Sequence, residues 1–183
     1  MGNVSNLSLG PGTLYVAQVG SSAPTGLTTA WAAAWKEIGY TAEGTEVTIE
    51  VSRDPVDVAE SIEPVAHATT ARSMSVSFAM AEVTARNLRI AMNGGTISTA
   101  AGVTTFTPPA LGEEGSVALG WESEDGEERW IVPKASQSGS VSIGRRKGAD
   151  KAKVPVTMQA ELAPGETSLY SVLLLDSRSG GTI

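Results

Sequence analysis

Carboxylate side chains gather in one stretch of the chain, between Gly39 and Pro64. Two carboxylates held in a cleft can act as a general acid and a general base, but the spacing here gives no sign of such a pair. The apolar residues Val47, Ile49 and Val51 alternate with polar ones, which is typical of a strand with one hidden and one exposed face. The exposed face is then either an ordinary solvated surface or one that repels polyanions. The carboxylates of this stretch are Glu43, Glu46, Glu50, Asp54, Asp57, Glu60 and Glu63.

Other catalytic constellations are not recognisable in the sequence. His67 is the sole histidine, and no serine and carboxylate accompany it in a catalytic arrangement, so it is interpreted as a loop or core residue. The absence of cysteine excludes a thiol nucleophile, a thiolate metal site and a disulfide framework. The motifs of zinc proteases, serine hydrolases and nucleotide-binding loops are also absent. We therefore predict a protein that is not an enzyme, with no cofactor and no bound metal.

Two further charged segments stand out, one basic and one acidic. The basic segment, Gly144 to Lys153, has no interleaved aromatic residues of the kind that stack on nucleic-acid bases, which favours a solvated loop or a partner for an acidic surface. Asp125-Gly126 lies between two runs in which apolar and polar residues alternate, and this pattern predicts a β-hairpin with an acidic turn. The basic side chains are Arg145, Arg146, Lys147, Lys151 and Lys153, and the acidic ones are Glu122, Glu124, Asp125, Glu127 and Glu128.

Composition limits the classes of protein that this chain can belong to. Its 183 residues suffice for one domain with a sizeable core, and 41% of them are apolar. The net charge of −7 argues against a general nucleic-acid-binding surface, which needs cations to replace phosphate counterions. No apolar run is long enough to span a bilayer and no signal segment is present. We expect a soluble protein, made without export and without a membrane anchor.

Most of the chain shows the alternating residue pattern of β-strands, and these strands must position the charged residues. A strand with alternating serine and apolar residues over Ala71–Met80 leads into the one convincing helix, predicted at about 82–93, with Ala81, Ala85, Leu88 and Met92 on one face. The pattern predicts a mainly β, single-domain antiparallel β-sandwich or barrel of about eight strands with one flanking α-helix. The domain covers residues 13–176, between a flexible N-terminal arm, 1–12, and a flexible C-terminal tail, 177–183.

The four tryptophans have two possible interpretations. Trp31 and Trp35 lie four residues apart, and Trp121 and Trp130 flank the predicted hairpin. Core packing is favoured because an indole ring carries a large apolar surface. Sugar binding by exposed rings is the alternative, although no polar cluster accompanies them in the sequence.

Motifs in a fixed order carry a resemblance to a known family. The motifs are Gly12-Thr13-Leu14-Tyr15-Val16-Ala17, Trp35-Lys36-Glu37-Ile38-Gly39-Tyr40-Thr41 with Glu43-Gly44, and Val76-Ser77-Phe78 leading into Ala81-Glu82-Val83-Thr84-Ala85-Arg86-Asn87-Leu88. In this order, within a short, acidic chain without cysteine, they resemble the major tail tube proteins of long-tailed (siphovirus-type) bacteriophages, especially those of actinobacterial hosts. The resemblance covers about residues 12–95 by motif and the remainder by strand order alone.

The resemblance implies a structural virion protein that assembles with itself. Its copies would join edge to edge into hexameric rings, which stack into a hollow tube around a tape-measure protein and meet the tail-tip (distal tail) and tail terminator proteins. Double-stranded DNA would pass through the lumen without specific binding. The protein would be made and assembled in the bacterial host cytoplasm and would reside in the phage tail.

Two site hypotheses follow from this resemblance. In the first, carboxylates and a neutral serine row line the lumen and keep DNA phosphates from adhering; these residues are Glu46, Glu50, Asp54, Ser73, Ser75 and Ser77. In the second, the basic segment of one subunit contacts the acidic turn of its neighbour, so that charge sets the register. The arms and the Val56–Glu63 loop are expected to become ordered when rings stack.

Two other classes of protein are alternatives to a tail tube protein. A monomeric or trimeric β-sandwich that binds a receptor or a sugar would expose its tryptophans. Another phage structural protein, such as a capsid decoration protein or a tail terminator, would share the β-rich pattern. A terminator would form one ring and stop.

Overall fold

The computed structural model describes residues 10–60, 62–145 and 152–178. In these residues the chain is mainly β, as predicted, with ten strands where about eight were expected, and one α-helix. The predicted tail begins within a 3-10 helix, Asp176–Arg178. The elements are β1 (Thr13–Gln18), β2 (Lys36–Glu37), β3 (Thr41–Val56), β4 (Ala66–Met80), α1 (Ala85–Ala91), β5 (Thr96–Ala100), β6 (Val103–Thr107), β7 (Val117–Glu122), β8 (Glu128–Gln137), β9 (Val154–Ala160) and β10 (Ser171–Leu174).

One antiparallel sheet of eight strands forms the body of the molecule. Its order is β2-β1-β7-β8-β9-β4-β3, and β10 pairs with the first half of β8. The last three residues of β8 pair with β9 instead, so β8 links the two halves of the sheet. Apolar residues of β1 and β7 share one core with those of β4 and β9, which makes the two halves the layers of a sandwich. The predicted fold class is thus confirmed.

Helix α1 closes one end of this sandwich. It is shorter than the predicted 82–93, because the Thr84 hydroxyl accepts a bond from the Asn87 amide and so begins the helix at Ala85. The predicted apolar face is also wrong, since the buried residues of α1 are Asn87, Ile90 and Ala91. Asn93 follows with φ +53° and exchanges two hydrogen bonds with the backbone of Gln137, at 2.8 and 2.6 Å, which ties the helix end to β8.

Strands β3 and β4 form a hairpin that extends beyond the other strands of the sheet. Strand β9 pairs with β4 from Ser75 to Met80, so the rest of the hairpin extends beyond its neighbour in the sheet. Every described residue of Glu50–Val56 and Ala66–Arg72 is exposed. The expected hidden face of β3 is therefore wrong beyond Val47, which packs on the core, since Val51 is 49% exposed. Pro55 still pairs with His67, and regular pairing ends with Val56 opposite Ala66, so the expected loop lies at the tip of the hairpin.

The tryptophans of the loop between β1 and β2 cover the outer face of β1 and β7. Trp35 is 5% exposed, and Trp31 stacks on Tyr15 with 4.5 Å between ring centroids. Gly120 of β7 makes this possible, because a β-carbon there would overlap the Trp31 ring. Core packing is the correct interpretation of Trp35.

Substituting Gly120 with alanine is expected to lower the free energy of unfolding by about 1 to 3 kcal/mol, because the added methyl group displaces the Trp31 ring from its packing position against β7. The near-ultraviolet circular dichroism of the indoles should change with it. Gly144→Ala is the matched control, since a β-carbon there meets no atom. Equal stability of the two variants would contradict the packing described.

Candidate functional site

The outer face of the layer that contains β3, β4 and β9 brings most of the predicted lumen residues together. Glu46 lies opposite Ser77, and Glu50 lies opposite Ser73. Directly opposed residues of an antiparallel pair share one face, so acids of β3 and serines of β4 form adjacent columns. Ser75 lies between the other two serines, opposite Thr48. Asp54 lies farther out, opposite Ala68, beyond an irregularity in the register after Ser52.

The neutral column continues onto β9, which the sequence hypothesis did not include. Ser77 and Thr157 share a hydrogen bond of 3.2 Å between their hydroxyl groups. Gln159 lies opposite Ser75 and donates from Nε2 to the Met74 carbonyl at 3.0 Å. Thr157 and Gln159 alternate with buried residues of β9, and this period-two pattern was the available signal. The face thus has acids at its edge and hydroxyl and amide groups at its centre.

Two lysines next to this face each have an acidic partner. Lys134 Nζ lies 2.7 Å from Glu161 Oε2, and Ser136 donates to the same carboxylate. The hydrogen bond from Lys134, followed by that from Ser136, lowers the pKa of Glu161. Lys153 pairs with Glu43. Each of these two positive charges is therefore balanced by an adjacent carboxylate, and the face stays neutral to acidic.

Both edges of the sheet offer backbone groups for pairing. Within the described residues, β3 pairs on one side alone, with β4, along its 16 residues. At the other edge, β2 has two residues and covers Tyr15 and Val16 of β1. An edge strand with unpaired N–H and C=O groups is a template for a further strand. A second copy can therefore extend this sheet.

The acidic turn between β7 and β8 is already bonded within the chain. Arg178 of the 3-10 helix is 6% exposed at its side chain and lies 3.0 Å from Asp125, 2.8 Å from Glu127 and 3.7 Å from Glu128. A hydrogen bond from Ser123, with smaller contributions from the Glu127 amide and Arg178, lowers the pKa of Asp125. The predicted contact between this turn and the basic segment of a neighbour would compete with Arg178.

Other residues were also predicted to take part in this contact between subunits. Glu122 binds Arg129 at 2.9 Å, whereas Glu124 lies beside Gly10 and lines a cleft next to β1. Arg145 is exposed. Arg146, Lys147 and Lys151 lie outside the described residues, so their predicted role stays a prediction.

The indole N–H groups are all engaged, which argues against a sugar-binding platform. Trp31 donates to Glu122, and Trp130 donates to Glu128 at 2.6 Å. Trp35 and Trp121 donate to backbone carbonyls at 2.8 and 3.0 Å. Trp130 also stacks on Tyr170.

Neither a metal-binding cluster nor a membrane-spanning helix occurs in residues 10–60, 62–145 and 152–178. No group of three or more histidine or acidic side chains there is placed to hold a metal ion. In that part of the chain, no helix is long and apolar enough to cross a membrane.

Comparison with known proteins gives the family. A search of curated protein sequences returns no match to this chain. A family model described as "Phage tail tube protein" matches residues 3–181, which is nearly the whole sequence. The mainly β fold and the resemblance in the sequence agree with it. The chain therefore belongs to the phage tail tube protein family, and it is a structural protein of the virion and not an enzyme.

Proposed function

We propose that copies of this chain join edge to edge into hexameric rings, and that these rings stack into the hollow tail tube of a siphovirus-type phage. The two open sheet edges support this proposal more than any other observation. Strand β3 and the short β2 are different surfaces at opposite edges of one sheet. A contact between them is heterologous, and a heterologous contact forms a ring when its rotation closes.

The outer face of β3, β4 and β9 is the surface we assign to the lumen. Double-stranded DNA carries a dense row of phosphates, and any free cation on the wall would retain it. Acids at Glu46 and Glu50 repel phosphate, the serine column carries no charge, and Lys134 is held by Glu161. Six copies at −7 each give a ring of −42. DNA would then pass through without specific binding.

Such a tube would also contact other components of the phage tail. A tape-measure protein would fill the lumen before DNA enters it, and tail-tip and terminator proteins would cap the two ends. Synthesis and assembly would take place in the cytoplasm of the bacterial host, for which the sequence motifs favour an actinobacterium. The Val56–Glu63 loop, the N-terminal arm 1–12 and the C-terminal tail 177–183 are the segments expected to become ordered on stacking.

Negative-stain microscopy of the purified protein over a concentration series, with light scattering on the same samples, tests the proposal. Hollow filaments or six-membered rings are expected. If the protein alone stays monomeric, tail-tip components are added as initiators, and hollow filaments are then expected. Stable trimers, or monomers that never polymerise with those components, would overturn the tube and favour a binding module.

A further inference from the structure

Asn93 and Gly94, which follow helix α1, form the sole Asn-Gly dipeptide of the sequence. Such a dipeptide deamidates readily, because glycine has no side chain to hinder attack on the asparagine amide. The main-chain nitrogen of the glycine loses its proton and bonds to the side-chain carbonyl carbon, and the side-chain nitrogen leaves as ammonia. Water then cleaves one of the two carbon–nitrogen bonds of the cyclic imide, which yields aspartate or isoaspartate. The turn after α1 is therefore a candidate site of spontaneous modification.

The conformation of this turn requires both residues. Asn93 has φ +53°, in the left-handed region that asparagine tolerates better than most residues. Gly94 has φ +123°, which residues with a side chain rarely adopt. A bulkier residue after Asn93 would slow the reaction, but the backbone excludes it. The reactive dipeptide is thus a consequence of the way in which the chain leaves the helix.

Hydrogen bonds engage both of the groups that would react. The Asn93 Nδ2 donates to the Gln137 carbonyl at 2.8 Å, and the Oδ1 accepts from the Gln137 amide at 2.6 Å. The side-chain amide is therefore held against β8 and is not free to turn back on its own main chain. The Gly94 N–H, whose nitrogen is the nucleophile, donates to the Arg89 carbonyl at 2.8 Å. Three hydrogen bonds must break before the nitrogen can attack.

The main chain of Asn93 is fixed as well. Its carbonyl accepts from the Gly115 amide at 2.7 Å, and its N–H donates to the Ile90 carbonyl at 3.3 Å. Ile90 and Ala91 belong to the core, so the turn cannot move freely while α1 stays packed. Attack on the amide therefore requires the junction of α1 and β8 to open. The rate of deamidation in the folded protein falls with the fraction of time that the junction is open.

We propose that Asn93 is a deamidation site that folding protects, so that the modification accumulates in chains that stay unfolded and hinders their return to the fold. Aspartate has no Nδ2 donor, so one carboxylate oxygen would face the Gln137 carbonyl without a proton between them. Its negative charge would lie at the C-terminal end of α1, which the helix dipole disfavours. Isoaspartate lengthens the main chain of the turn. These effects arise within one chain and do not depend on the proposed rings.

Rates of deamidation in the purified protein, native and unfolded in guanidinium chloride at one pH and temperature, test the protection. Peptide mapping by mass spectrometry measures the conversion of each asparagine. Asn93 is expected to react at least about tenfold more slowly in the native protein, because its hydrogen bonds must open first. Asn87 is the internal control and should stay intact in both states, since it precedes Leu88. Equal rates at Asn93 in the two states, or an intact Asn93 in guanidinium chloride, would overturn the inference.

The variant Asn93→Asp tests the effect of the product on the fold. We expect its midpoint of thermal unfolding to be lower than that of the wild type by about 2 to 8 °C. Gln18→Glu is the matched control, because it makes the same change from amide to acid at an exposed residue of β1 and should unfold with the wild type. Equal midpoints for Asn93→Asp and the wild type would contradict the proposed hindrance.

A refolding experiment on the wild-type chain covers the case in which Asn93→Asp does not fold. Protein is kept in guanidinium chloride until part of it has deamidated, and the mixture is then diluted into native buffer. The folded fraction, separated by size, is expected to be enriched in chains with an intact Asn93. The same proportion of modified chains before and after refolding would show that the modification does not exclude them, and the proposal would fail.

Discussion

Replacing Arg129 with methionine is expected to lower the free energy of unfolding by about 3 to 5 kcal/mol, because the change leaves a carboxylate without its cation in a largely buried site. Arg129 is 5% exposed, and its Nη2 lies 2.9 Å from Glu122 Oε1. Its Nη1 donates to the carbonyls of Gly26 and Thr29, at 2.7 and 2.6 Å. The guanidinium also lies over the Trp31 ring, 5.5 Å from the centroid. One side chain thus fastens the loop between β1 and β2 to the sheet.

Denaturant unfolding followed by tryptophan fluorescence measures this loss. The double variant Arg129→Met with Glu122→Gln should recover part of the stability, since no uncompensated charge remains and Trp31 keeps a hydrogen-bond acceptor. Arg89→Met is the control for removing an arginine, because Arg89 is exposed on α1. A loss below about 1 kcal/mol for Arg129→Met would mean that the loop holds its place without this residue.

The positions of individual strands were the part of the fold that the sequence predicted best. Alternation in β4 and β9, and the Asp-Gly turn between β7 and β8, identify elements because side chains of a strand point to opposite faces by geometry alone. Alternation does not reveal which layer covers a strand. Val51 alternates as Val47 does, yet the first is exposed and the second packs on the core, because Val51 lies in the part of the hairpin that extends beyond the core.

Contacts between distant segments were the part that could not be predicted. Arg178 follows an apolar run and precedes a Ser/Gly-rich end, so nothing local indicates that it binds the turn at Asp125. The packing of the Trp31 ring against Gly120 likewise depends on contact between a loop and a strand nearly 90 residues away in the sequence. Helix α1 shows the same limit, since its buried side includes the polar Asn87, which donates to the carbonyls of Ile38 and Glu82.

The candidate lumen face was partly accessible to sequence reasoning. Glu46, Glu50 and the serine row were proposed as neighbours, and the register between β3 and β4 places them side by side. Thr157 and Gln159 were not included, because assigning β9 as the neighbour of β4 requires the sheet order. The pairing of Lys134 with Glu161 also depends on where β8 meets β9.

Charge reversal on this face is expected to slow DNA passage through the tube without preventing assembly. The variant Glu46→Lys with Glu50→Lys replaces two acids of the β3 column with bases, so each copy gains two cations on the face that we propose lines the lumen. Each lysine that contacts a phosphate releases counterions and retains the DNA, and the retention adds up over many stacked rings. Both side chains are exposed, so the core is unaffected. We expect tubes of normal appearance and at least about a tenfold slower ejection at low salt.

The measurement is the rate of DNA release from particles assembled with each variant, at two or more salt concentrations. Raising the salt should restore much of the rate, because screening weakens contacts between lysine and phosphate. Glu166→Lys is the control for the sign of the charge change, since Glu166 is exposed in the loop between β9 and β10 and lies off the β3, β4 and β9 face. Ejection at the wild-type rate from intact tubes of the double variant would place this face outside the lumen. A rate lowered equally by Glu166→Lys would attribute the effect to net charge and not to the wall.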